Sequence, residues 1–166
     1  MFSLLTVTSD ARDARRAGRF TAGLVGLGLA LSTAALSAAP AAAQTVGRGP
    51  RGQTLTVSKT SGISRAGETV TVSGAGYDTD KGIYVAFCVD NGPGQIPSPC
   101  GGGADTTGST GASQWISNNP PSYAEGLTIR YGAGGSFQVQ VKVSPTIGDV
   151  DCTVRTCSVI TRADHS

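Results

Sequence analysis

The 166-residue chain holds one histidine, one methionine and one tryptophan, and charged residues make up only 14% of it and aromatic residues 5%. The lone His165 stands next to the last residue, where nothing in the sequence would orient it, which argues against a Ser or Cys hydrolase built on an imidazole base. Basic residues are few and scattered. Four of the thirteen, Arg12, Arg15, Arg16 and Arg19, and two of the eleven acids, Asp10 and Asp13, precede an apolar run, and the remainder carries nine of each sign. A neutral surface without clustered Lys and Arg argues against direct electrostatic binding to nucleic acid. No stretch sustains an i, i+3, i+4 apolar pattern, and the many glycines weaken helix wherever they fall, so helix is expected to be nearly absent. The Gly101-Gly102-Gly103 run lacks the Lys and Ser/Thr that a phosphate loop needs.

What is present begins with a leader. The Arg-rich start, an Ala/Leu/Gly run over 20–36 and the small residues Ala41-Ala42-Ala43 read as a signal peptide over 1–43, cleaved after Ala43. The run is too short and too rich in Gly, Ser and Thr for a membrane span, which needs about 20 strongly apolar residues, and no second one follows. A secreted or cell-envelope product without a membrane anchor is expected. It has room for one domain. Residues 44–53, rich in Gly and Arg, read as a flexible N-terminal arm, and 54–166 as the domain.

The exported context permits disulfides, and all four cysteines lie beyond the leader. Three connectivities exist for four cysteines, and the spacing favours the one with two local bridges, Cys88 with Cys100 and Cys152 with Cys157. Apolar residues recur at period two in Leu55 and Val57, in Val70 and Val72, and through Phe137, Val139, Val141 and Val143. The expected strands are 54–59, 68–74, 83–89, 113–117, 127–131, 136–144 and 157–162, each bounded by Gly, Pro or polar residues. Such a pattern implies a β-sandwich or barrel. In 83–89, Tyr84, Ala86 and Cys88 share one face and Ile83, Val85 and Phe87 the other, so both faces are apolar enough to be covered.

Two acidic motifs read as structural. Asp78-Thr79-Asp80-Lys81-Gly82 resembles the start of a calcium loop but lacks its later ligands, so it reads as a solvated turn. Asp149 and Asp151 have no acid/base partner and read as loop acids beside the second disulfide. No metal ligand set and no catalytic residue emerges.

The segment Gly67-Glu68-Thr69-Val70-Thr71-Val72-Ser73-Gly74-Ala75-Gly76-Tyr77, the Cys88/Cys100 pair, Gly135-Ser136-Phe137, and Val150-Asp151-Cys152-Thr153 followed by Cys157-Ser158-Val159 together resemble the neocarzinostatin family, the secreted apoproteins of enediyne antibiotics. The resemblance implies an all-β, immunoglobulin-like, seven-stranded Greek-key sandwich and a non-enzymatic carrier of a small apolar or aromatic molecule. Any action on DNA would then belong to the bound molecule, a non-covalent chromophore. It implies that Cys88 and Cys100 rim the ligand cleft and that Ser158 projects toward it, while Tyr84 and Trp115 are the candidate aromatic contacts. Members of the family place aromatics just after the first cysteine and on the hairpin before the third, where this chain has Val89-Asp90-Asn91 and Pro145-Thr146-Ile147-Gly148. Trp115, Tyr123 and Tyr131 would have to refill the pocket or pack elsewhere. The family also continues to a last strand beyond the position of Ser166, and without it a sheet edge stands open to a protein partner. The alternative reading is therefore an immunoglobulin-like cell-envelope or interaction module that has lost the ligand site.

Overall fold

The computed structural model describes residues 5–8, 44–102 and 109–165. Eleven strands follow one another along them: β1 (Leu5–Thr8), β2 (Thr45–Arg48), β3 (Thr54–Val57), β4 (Glu68–Ala75), β5 (Ile83–Val89), β6 (Ser113–Ile116), β7 (Thr128–Ile129), β8 (Phe137–Val143), β9 (Thr146–Ile147), β10 (Val150–Asp151) and β11 (Cys157–Ala163). The only helical element among the described residues is a 3-10 turn, Ser122–Ala124. One sheet has the order β2-β3-β4-β8, the other β1-β11-β5-β6-β7, and β9 and β10 form a separate two-stranded ribbon. All pairings are antiparallel except β6 with β7.

The two sheets cover each other because period-two alternation gives each an apolar face. From the four-stranded sheet come Leu55, Val57, Val70, Val72, Phe137, Val139, Val141 and Val143. Ile83, Val85, Phe87, Val89, Ile116, Cys157 and Val159 answer them from the other. In β8 the alternation is complete, with every second residue buried and the Gln and Lys side chains between them exposed. Two glycines allow close approach at one end of this core. A Cβ on Gly74 would run into the Phe137 ring, and one on Gly135, at φ +63°, into the Tyr77 backbone. Tyr77 consequently packs on Phe137 with ring centroids 5.2 Å apart.

The all-β sandwich and each of the seven expected strands are present, with ends that differ by one or two residues. Segment 44–53 differs from its reading as an arm: Thr45–Arg48 pairs with β3, Val46 opposite Thr56, and forms the edge of the four-stranded sheet. A Thr-Val-Gly-Arg stretch is too short to announce itself by periodicity. Leader segment 1–43 falls largely outside the described residues; within it Leu5–Thr8 pairs with β11.

Both local disulfides are formed, Cys88–Cys100 and Cys152–Cys157. The first ties the end of β5 to the loop before β6, and the second closes the turn between β10 and β11. Asp151 organises that turn, accepting hydrogen bonds from the Thr153 backbone N–H at 2.8 Å and the Thr153 hydroxyl at 2.7 Å, which hold its carboxyl below the usual range. Asp78 accepts similarly from the Asp80 N–H at 3.1 Å, forming a local turn.

Candidate functional site: the outer face of the five-stranded sheet

The face of β5 turned away from the core carries Tyr84, Ala86 and Cys88, as the alternation requires. Antiparallel register sets β11 beside it, with Ser158 opposite Cys88, Ile160 opposite Ala86 and Arg162 opposite Tyr84. On the other side β6 places Trp115 opposite Tyr84 and Ser113 opposite Ala86. Residues far apart in sequence thus form one surface, apolar at one end and aromatic and charged at the other.

At the apolar end Ala86, Cys88 and Ile160 form a buried cluster, with Cys100 packed against it through the disulfide. Ser158 lies among them. Its side chain is 1% exposed, and its Oγ has no hydrogen-bond partner among the described residues. An unpaired buried hydroxyl costs about 1–3 kcal/mol of desolvation, so this position is held against its own stability.

At the aromatic end the rings of Tyr84 and Trp115 lie 5.3 Å apart, and His165 packs against both, 5.6 Å from Tyr84 and 5.4 Å edge-on to Trp115. The Tyr84 hydroxyl and His165 Nε2 are 3.1 Å apart. Trp115 Nε1 donates to Asp164 Oδ2 at 2.7 Å, which fixes the indole plane. Asp164 is itself anchored, its N–H donating to the Gly82 carbonyl at 2.9 Å. A Cβ on Gly82 would fall on the Asp164 carboxylate, which would have to shift from its place beside Trp115. The Arg162 guanidinium stands 5.7 Å from the centre of the Tyr84 ring, close enough for a cation–π contact. Burial, followed by the nearby Asp164 carboxylate, raises the Tyr84 phenol above its ordinary value, so it remains a neutral hydrogen-bonding group.

All five sequence-predicted ligand residues, Tyr84, Cys88, Cys100, Trp115 and Ser158, therefore sit on or beside one sheet face. The three aromatics of the long insertion separate. Only Trp115 joins that face. Tyr131 enters the core, its ring 6.4 Å from Phe137 and its hydroxyl donating to the Lys81 carbonyl at 3.1 Å, with burial pushing its phenol well up. Tyr123 is 71% exposed and joins neither. Sequence reasoning missed Arg162, Asp164 and His165. Their signal was register: continuing β11 past Thr161 carries these residues to the Tyr84 end of β5.

With this geometry in place, comparison with known proteins is informative. The profile of the neocarzinostatin family matches residues 55–166. The chain belongs to the neocarzinostatin family. That family consists of secreted, non-enzymatic carrier proteins that bind small aromatic chromophores on an immunoglobulin-like sandwich. The chain is also similar to a protein of Corynebacterium glutamicum named thiamine biosynthesis protein X, at 32% identity over 102 residues, covering 60% of this chain and 50% of that protein. The chain thus spans about half the length of this relative. No solved structure matches the chain at a significant level. Among the described residues no helix is long and apolar enough to cross a membrane.

Proposed function

We propose that this family member is a secreted, non-enzymatic carrier that holds a small, apolar or aromatic molecule against the outer face of the five-stranded sheet. Ser158 is the observation that carries the reading: a hydroxyl 1% exposed and without a partner among the described residues, opposite Cys88 and beside Ile160. Polar groups buried without partners are rare in folded proteins, and a donor or acceptor on a bound molecule would complete this one. Around it the Cys88–Cys100 disulfide and Ile160 supply an apolar wall, and the Tyr84–Trp115 pair supplies ring faces for stacking. Arg162 stands at the Tyr84 end, where it would favour a ligand with an acidic or electron-rich substituent. The interaction with DNA for which the family is known would pass through the bound molecule, since the nine positive and nine negative charges beyond residue 43 give no basic footprint.

Trp115 is the sole tryptophan and lies in the site. Titration of the oxidised protein with planar aromatic chromophore analogues, followed by Trp115 fluorescence, is expected to give a saturable change that weakens in Ser158→Ala. Absence of any saturable change would remove the carrier reading. It would favour the second one, an interaction module, which is supported by Val89: where chromophore-holding relatives place aromatics just after the first cysteine, this chain turns Val89 into the core.

A further inference from the structure

On the outward face, strand register sets Arg162, Tyr84, Trp115 and Thr128 side by side across β11, β5, β6 and β7. The row ends at β7, and the turn that enters β7 stands beside it. Fully buried Ala124 anchors that turn. Its N–H donates to the Pro121 carbonyl at 2.8 Å and its carbonyl accepts from the Leu127 N–H at 3.0 Å, so the backbone is pinned on both sides. Successive side chains of a 3-10 turn point about 120° apart. With Ala124 turned inward, its neighbour Tyr123 projects into solvent. Burial first, then the Asp164 carboxylate and then the Tyr123 phenol raise the Tyr84 phenol, which places the Tyr123 ring at the Tyr84 end of the row. Three of the six large apolar side chains that stand exposed among the described residues, Tyr123, Leu127 and Ile129, belong to this turn and to the strand it enters. Single exposed apolar residues need no explanation, whereas a group of them marks a contact surface.

We propose that Tyr123 is a specificity-determining residue of the candidate site: its ring closes over a planar ligand that lies against Tyr84 and Trp115, so that the ligand is held between two aromatic walls. Resting on the carrier reading, this role names what the carrier selects, flat aromatic molecules over rounded apolar ones. Facing aromatic walls reward a flat ring system, which can stack on both, and give little to a globular hydrocarbon. Closing costs little order, because the backbone of the turn is already fixed and only the two side-chain torsions of Tyr123 remain to be set.

The test titrates the oxidised full chain with pyrenemethanol, a flat aromatic alcohol, followed by Trp115 fluorescence, and with adamantanemethanol, a rounded apolar one, followed by displacement of pyrenemethanol. Tyr123→Ala is expected to weaken pyrenemethanol binding roughly three- to tenfold, and Tyr123→Phe, which keeps the ring, to stay within about twofold of wild type. Adamantanemethanol should bind wild type more weakly and be indifferent to both substitutions. Because Tyr123 is mostly exposed, wild type and Tyr123→Ala should share one denaturation midpoint. In the complex, nuclear Overhauser contacts from pyrene are expected to both Trp115 and Tyr123; contacts to Trp115 without Tyr123 overturn the proposal. Equal pyrenemethanol affinity in wild type and Tyr123→Ala overturns it too and leaves the carrier reading standing, whereas a wild type that binds neither probe removes both. Equal losses for the two probes overturn the selection of flat ligands. A Tyr123→Ala variant that sediments differently from wild type yet binds pyrenemethanol as well gives the exposed patch to a second copy of the chain, and this also overturns the proposal.

Discussion

Two buried hydroxyls on β11, three residues apart, have opposite fates. Thr161 faces the core, is 2% exposed, and its Oγ1 lies 3.2 Å from the Tyr77 hydroxyl. Ser158 faces outward, is 1% exposed, and has no partner among the described residues. The strand is the same and the burial is the same; the difference lies in which side of the sheet each residue meets. The inner face behaves as a finished core, with its apolar side chains matched across the sandwich and Thr161, the buried hydroxyl of β11 on that side, paired. On the outer face Ala86, Cys88, Ser158 and Ile160 are as buried as core residues, yet Ser158 keeps an unmet hydrogen-bonding group, which the proposed carrier reading assigns to a ligand.

Mutations at the two faces sharpen this contrast. The largest effect is expected inside: Leu55, fully buried in the core, should lose about 2–5 kcal/mol of stability as Leu55→Ala, with the cavity as the cause. Chemical denaturation measures it, and ligand affinity measured on the folded variant should be unchanged. Next is the Cys88–Cys100 bridge, which spans a 12-residue separation and forms part of the outer wall. Its removal by Cys88→Ala with Cys100→Ala should cost about 3 kcal/mol through the freed unfolded chain and should also weaken ligand binding. An effect on stability without one on binding would detach the disulfide from the site.

Gly82→Ala probes the aromatic end, because the new Cβ displaces the Asp164 carboxylate that holds the Trp115 indole. The expected outcome is a shifted Trp115 emission and weaker ligand binding, with a stability loss on the order of 1 kcal/mol. Ser158→Ala is the most diagnostic of the small changes. Removing an unpaired hydroxyl should leave stability unchanged or raise it by up to about 1 kcal/mol, whereas Thr161→Val, which strips the Tyr77 hydroxyl of its partner, should lower it. Equal losses from both would erase the distinction between the faces.

The smallest effect lies outside both faces. Lys59 Nζ donates to the Glu68 carboxylate at 2.7 and 3.0 Å and the Ser64 N–H donates at 2.8 Å, which together hold the Glu68 carboxyl below its ordinary value of 4.5. A depressed carboxylate contributes stability above its unfolded value, and that contribution is lost as the pH falls through the folded value. Glu68→Gln should therefore lower stability by less than about 1 kcal/mol at neutral pH and flatten its decline below about pH 4.5. Denaturation midpoints measured across that range give the comparison.

Much of this architecture was legible in the residues because period-two alternation is a local signal. Val70 and Val72, the Phe137 to Val143 series and the two faces of 83–89 each declare strand and side without reference to anything distant. The cysteine pairs were legible for the same reason, lying close in sequence at strand ends. What was not legible depends on register. Nothing near Asp164 or His165 indicates that they close an aromatic cluster, since that follows only once Arg162 falls opposite Tyr84 and Trp115 falls opposite Tyr84 from the other side. Tyr131 was equally ambiguous, because its place in the core is set by packing against Phe137 and not by its own neighbours. The short strands β2, β9 and β10 carry two to four residues each, too few for a period to register.

The central claim is that the outward face of β5, β6 and β11 binds a small molecule while the inward face only packs. Backbone amide shifts recorded during titration with a planar aromatic chromophore analogue test it most directly. The account predicts saturable shifts centred on Tyr84, Cys88, Trp115 and Ser158, with β3, β4 and β8 unmoved. Shifts confined to the four-stranded sheet, or none at all at saturating analogue, would contradict it.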